Sequence, residues 1–110
     1  MRQGEIWHAN LNPTKGSEQA GFRPVVIISG NLLHTHLPFV ICCPLTSKVK
    51  NYKGNLVLQP DTVNNLSAPS EIFTFHIRSL SKERLVSRIG AITSAELDQL
   101  KIYLQEILSY

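Results

Sequence analysis

Apolar residues along this chain fall in short blocks separated by turn residues, the rhythm of strands rather than of long helices. Glu5 to Leu11 is a mixed run that suits a first strand, and Asn12-Pro13 then opens a long polar loop. Pro24 to Ser29 holds Val25, Val26, Ile27 and Ile28, a β-branched run suited to a strand covered on both faces. Gly30-Asn31 marks a turn, with a short helical or irregular piece over Leu32 to Leu37. Phe39 to Leu45 reads as a second buried strand ended by Thr46-Ser47, and Leu56 to Gln59 as a strand stopped by Pro60-Asp61. Glu71 to Leu80 alternates strictly, which predicts one continuous strand. On that reading Phe73, Phe75 and Ile77 face the core, and Ile72, Thr74, His76 and Arg78 share the other face. Leu85 to Ile92 makes a last strand, bent at Gly90.

One strong helix is predicted, at the end of the chain. Thr93 and Glu96 have capping-box spacing, and Leu97, Leu100, Tyr103, Leu104, Ile107 and Leu108 recur at helical intervals. Short strands plus one terminal helix predict a mainly β fold, a compact barrel with a helix packed on it. No repeat or long linker divides the chain, so residues 1–110 are expected to form one domain.

Composition narrows the function. The balance is globular, with 43% hydrophobic and 17% charged residues. Neither a membrane span nor a signal peptide is visible, so a cytoplasmic protein is expected. Cys42 and Cys43 are sequence neighbours that a strand would point to opposite faces, so they should neither pair nor share a metal. Eleven basic against eight acidic residues give a net charge of +3. The distribution says more than the total: Gln19 to Pro60 holds no acidic residue but includes Arg23, Lys48, Lys50 and Lys53. A second basic set, Arg78, Lys82, Arg84 and Arg88, follows. This pattern suits an anionic ligand as well as it suits a solvated surface.

Two segments carry candidate chemistry. In GSEQAGFRPVVII, Gly16 and Gly21 bracket four residues as in a phosphate-binding loop, but Phe22-Arg23 stands where that motif needs Lys and Ser or Thr. Nucleoside triphosphate binding is therefore rejected. What remains is a glycine-bounded loop feeding Arg23 onto a strand, where a guanidinium serves either to brace the loop or to clamp a phosphate. In PLTS, Thr46 ends a strand at a rim, as a turn residue bonded to the backbone or as a hydroxyl offered to a ligand. His34 and His36 lack neighbouring ligands for a structural zinc site, and no metal is expected.

The run GEIWHANLNPTKGSEQAGFRPVVII, followed by PLTS and later by IRSLSKERLVSRIGAI, resembles the MazF/PemK family of toxin endoribonucleases over most of the chain. The resemblance implies an SH3-like small β-barrel, a homodimer, a cognate antitoxin, and metal-independent, cofactor-free cleavage of single-stranded RNA. The family's catalytic arginine and threonine match Arg23 and Thr46, and the acidic residue of its loop matches Glu18. In metal-free cleavage the 2′-hydroxyl attacks the adjacent phosphorus, which calls for a proton acceptor, charge stabilisation and a proton donor. Arg23 suits charge stabilisation, Thr46 suits a bond to a phosphoryl oxygen, and Glu18 serves as base or orients Arg23. Candidate RNA contacts are Lys48, Lys50, Lys53, His76, Arg78 and Arg84. Phe75 and His76 stand where family members commonly carry an acidic residue and a glutamine. That departure leaves two alternatives in view: an inactive RNA- or antitoxin-binding relative, and a toxin that binds a protein target as the similar CcdB toxins bind gyrase. The latter carry a tryptophan near their C-terminus, whereas the only tryptophan here is Trp7.

Overall fold

The computed structural model describes residues 1–12 and 21–109. The strands are β1 (Glu5–Asn10), β2 (Phe22–Ile27), β3 (Phe39–Thr46), β4 (Leu56–Leu58), β5 (Ser70–Ile72), β6 (Arg78–Ser81) and β7 (Leu85–Ala91), with helices α1 (Asn31–His36) and α2 (Ser94–Ser109). All strand pairs are antiparallel, in the order β4-β5-β3-β2-β1-β7, with β6 also paired to β3. The sheet curls into a half-barrel, so the expected mainly β fold with a terminal helix is present.

β3 is the hub. Its first half pairs with β6 and its last two residues with β5, while β2 runs along its other side. Both faces are covered, as its apolar run requires. Cys43 and Leu45 pack in one core with Ile6, Val26, Ile72 and Leu100. Val40 and Cys42 pack in a second core with Val25, Ile27 and Leu80. The two cysteines thus point to opposite faces, both free, and burial pushes each thiol up to about 12.

The capping box of α2 forms as its spacing predicts. Thr93 N–H donates to Glu96 Oε1 at 2.8 Å, and Glu96 N–H donates to Thr93 Oγ1 at 3.1 Å. Leu97, Leu100 and Leu104 lie on the core, but Leu108 is 81% exposed, so the apolar stripe leaves the barrel at its last turn.

Gly90 stands where β7 runs against the buried Asn64. A Cβ there would overlap the Asn64 carbonyl and lie 2.6 Å from the carbonyl oxygen of Val63. Both obstacles are backbone and cannot swing aside. Gly90→Ala is expected to cost about 3 kcal/mol and to lower Tm by about 12–24 °C in a thermal melt.

The predicted strand over Glu71 to Leu80 is corrected. It breaks into β5, a 3-10 turn over Thr74–His76, and β6. Thr74 turns inward because its N–H and Oγ1 both donate to Asn55 Oδ1, at 3.1 and 2.8 Å. The 3-10 bonds His76 N–H to Phe73 O and Ile77 N–H to Thr74 O close the turn. The expected faces are therefore inverted there: Thr74 is fully buried, whereas Phe75 is 52% and Ile77 39% exposed.

Candidate active site

The end of β3, the start of β2 and the 3-10 turn meet around an open cleft of about 240 Å³. β2 supplies Arg23 and β3 supplies Thr46, each at a strand terminus held by the rigid sheet. Lys48, Lys50 and Tyr52 come from the segment after β3, and Phe73 and His76 from the opposite wall. Five of the predicted residues, Arg23, Thr46, Lys48, Lys50 and His76, are thus brought to one place.

Thr46 reconciles its two readings. Its buried Oγ1 accepts the Lys48 N–H at 3.1 Å, the turn bond anticipated for it, and its own hydroxyl proton is still available to donate. Arg23 also lines a second cleft of about 210 Å³ with Phe22, Ser47, Leu66 and Ser70, so this residue borders two recesses. The rim is aromatic: Tyr52 lies 6.3 Å from Phe73 and 6.5 Å from Phe75 between ring centroids. Cations beside exposed rings are what an unstacked single strand needs, since phosphates meet the first and base faces the second.

The basic segment is organised by Glu71, a residue that nothing in its local pattern singles out. Glu71 is fully buried, with its Cα paired to that of Thr46 across β3 and β5. Its Oε1 accepts the N–H groups of Lys50 at 2.7 Å and Asn51 at 2.8 Å. Its Oε2 accepts Tyr52 N–H at 2.9 Å and Asn55 Nδ2 at 2.8 Å. Three consecutive backbone donors form an anion nest, filled here by the protein's own carboxylate. Burial alone would push this carboxyl up, but the bonds from Asn55, Lys50, Asn51 and Tyr52 outweigh it and hold it below the usual carboxylate range. Asn51 takes the left-handed conformation (φ 55°) that lets the segment wrap around the carboxylate.

The remaining predicted residues lie elsewhere. Lys53 borders a larger cleft of about 510 Å³ between Gly54 and α2, where Glu106 is the other charged residue. Arg78 is paired with Cys42 along β6 and does not line the Arg23 cleft. The Arg84 guanidinium donates to the carbonyls of Asn10 and Asn12. Asn12 Oδ1 in turn accepts the Gly21 N–H at 2.9 Å, so Arg84 braces the point where Asn12 and Gly21 meet. Glu18 lies outside the described residues. His34 is buried, with Nε2 2.5 Å from Ser29 Oγ and Nδ1 3.2 Å from the Met1 carbonyl oxygen, so both ring nitrogens have protein partners. No group of three or more potential metal ligands occurs among the described residues.

A family model described as PemK-like, MazF-like toxin of type II toxin-antitoxin system matches residues 2–108. A Mycobacterium tuberculosis protein named Endoribonuclease MazF9 is 36% identical over 105 residues, covering 91% of this chain and 89% of the relative. The crystal structure of MazF from Deinococcus radiodurans superposes with a TM-score of 0.85 at 24% identity, covering all of this chain and 97% of that one. An endoribonuclease solved in complex with its cognate antitoxin, from a mycobacterial species, gives a TM-score of 0.81 at 20% identity, covering 98% and 94%.

Proposed function

Since the chain belongs to the PemK-like, MazF-like family of type II toxins, we propose that it is a toxin endoribonuclease that cuts single-stranded RNA without a metal. The observation that carries this reading is the cleft that unites Arg23, Thr46, Lys48 and Lys50 beneath an aromatic rim. Attack by a 2′-hydroxyl on the neighbouring phosphorus builds negative charge on the phosphoryl oxygens. Arg23 meets that charge with a permanently protonated, bidentate fork. Thr46 donates a hydrogen bond to the same oxygens. Lys48 and Lys50 hold the flanking phosphates, and Tyr52 and Phe73 take base faces. Glu18 is retained as a base or as the partner that orients Arg23.

Trp7 is buried in part on β1 and donates through Nε1 to Glu5 Oε1 at 3.0 Å, whereas α2, at the C-terminal end, carries no tryptophan. That placement gives no support to the gyrase-directed reading. The partner that fits the positive cleft is an antitoxin with an acidic segment that orders on binding and covers Arg23. Residues 1–110 are read as one domain, acting as a homodimer in the cytoplasm, where its substrate is found. Among the described residues no helix is long and apolar enough to cross a membrane.

The decisive assay incubates the purified protein with a long single-stranded RNA in excess EDTA. Cutting at a short recurrent sequence is expected. RNA left intact with the antitoxin-free protein would overturn the ribonuclease reading.

A further inference from the structure

Cleavage by an internal 2′-hydroxyl requires a group that takes its proton, and few residues of the cleft qualify. Arginine and lysine side chains carry their protons at neutral pH, and the hydroxyls of threonine and tyrosine keep theirs. The buried carboxylate beside the cleft, Glu71, already accepts four hydrogen bonds and faces away from solvent. His76 is different in kind, because imidazole is the side chain that exchanges a proton most readily near neutral pH.

The geometry around His76 fits that use. Its ring stands edge-on to Phe73, with centroids 5.4 Å apart and planes at 70°, which fixes its plane against the cleft wall. Its backbone N–H is held by Phe73 O in the 3-10 turn. Yet Nδ1 is the one buried side-chain nitrogen or oxygen among the described residues without a hydrogen-bond partner. Buried polar atoms in folded proteins are nearly always bonded, and exceptions gather at working sites. The contrast with His34, tied at both nitrogens, is direct. His8 is stacked on Phe22 at 5.8 Å and does not line this cleft.

We propose that His76 is a catalytic residue of this chain, the acceptor of the 2′-hydroxyl proton. The inference rests on the ribonuclease reading above. In the step, the 2′-oxygen forms a bond to phosphorus while its proton passes to Nε2 of the imidazole, since Nδ1 is enclosed by the protein, and the bond from phosphorus to the 5′-oxygen breaks. The leaving 5′-oxygen takes a proton from water, and the hydroxide so formed recovers the proton from the imidazolium. The products are a 2′,3′-cyclic phosphate and a 5′-hydroxyl, and the protein is returned unchanged. The charged and titratable groups facing His76 are Arg23 from β2 and Lys48, Lys50 and Tyr52 from the segment after β3. α2, which also packs against the 3-10 turn, carries Glu96, Asp98, Lys101, Tyr103 and Glu106.

The test is the pH dependence of kcat/KM for metal-free cleavage, with wild type, His76→Gln and Glu18→Gln. Affinity is measured in parallel with an oligonucleotide that lacks the 2′-hydroxyl at the cut site. A base must be unprotonated, so the wild-type rate should rise with pH along an acidic limb. His76→Gln should lose about 100-fold in kcat, lose that limb, and bind the uncleavable oligonucleotide within about threefold of wild type. Added imidazole should restore part of the activity of His76→Ala. Retention of the limb in His76→Gln, its loss in Glu18→Gln alone, or a drop in affinity matching the drop in rate would each overturn the proposal. A wild-type protein that binds the oligonucleotide but cuts RNA at no pH would instead overturn the ribonuclease reading itself.

Discussion

Replacing Arg23 by alanine is expected to lower kcat/KM on single-stranded RNA by about 100- to 1,000-fold, the usual cost of removing one preorganised donor to a developing oxyanion. Arg23 sits second in β2, with its Cα paired to that of Ala9 of β1, so its backbone is held by the sheet and not by the substrate. The strand therefore delivers the side chain to the cleft before the charge appears, which is what makes such a group effective. Because Arg23 borders two clefts, its loss should be felt on both sides of the bond being cut. Lysine at this position keeps the charge but not the planar fork, and should recover only part of the rate. Circular dichroism and the thermal midpoint separate this outcome from misfolding: the variant should melt within a few degrees of wild type. Cleavage retained within threefold would remove Arg23 from the mechanism.

The second large effect is expected at Glu71. Alanine there would leave the N–H groups of Lys50, Asn51 and Tyr52 and the amide of Asn55 without their acceptor. Each orphaned buried donor costs about 1–3 kcal/mol where water cannot replace the bond. Allowing for relaxation, the loss should be about 4 kcal/mol, a large fraction of the stability of a domain this size. Glutamine should rescue little, because the nest presents only donors and the amide NH₂ would face two of them. Urea denaturation measures the loss, and the KM for RNA should rise in both variants as Lys48 and Lys50 lose their fixed path. The same carboxylate sets a pH dependence. Its folded-state value lies below the ordinary one, so its contribution is present above the usual carboxylate range and is lost as pH falls through the depressed folded value. Glu5 adds to the effect with the same sign. Burial raises it, but bonds from Trp7, the Arg2 N–H and Arg88 bring it below its ordinary value. A urea midpoint that is steady near neutrality and falls on acidification is the expected result, with a weaker fall in Glu71→Gln.

The ease of reading this chain from its sequence differed sharply from place to place. β2 and β3 were visible because apolar runs buried on both faces leave a plain mark, and Thr93 with Glu96 announced the start of α2. Arg23 and Thr46 could be placed because each borders such a run. The segment after Ser70 departs from the alternation because alternation reports only on neighbours along the chain. Thr74 is drawn inward by Asn55, 19 residues away, and the exposure of Phe75 follows from that long-range bond. Glu71 is hidden from a local reading for the same reason. A lone carboxylate after Pro69-Ser70 gives no hint that three backbone donors distant in sequence will enclose it. Among the lysines, sequence order could not separate Lys50, whose N–H the nest holds at the cleft, from Lys53, which borders the cleft beside α2.

β3 divides the interior into two packed bodies, one on each face, and this has a bearing on how such a chain can change over generations. A side chain that grows or shrinks in one body presses on only one side of the strand, and the other body resists the displacement. Thr46 terminates this strand, and its Cα is paired with that of the residue that anchors the basic segment. The position of the Thr46 hydroxyl is thereby insulated from drift in either half of the interior. Each half is free to accumulate substitutions of its own, while the register between β3 and its neighbours is the property that selection for activity must preserve.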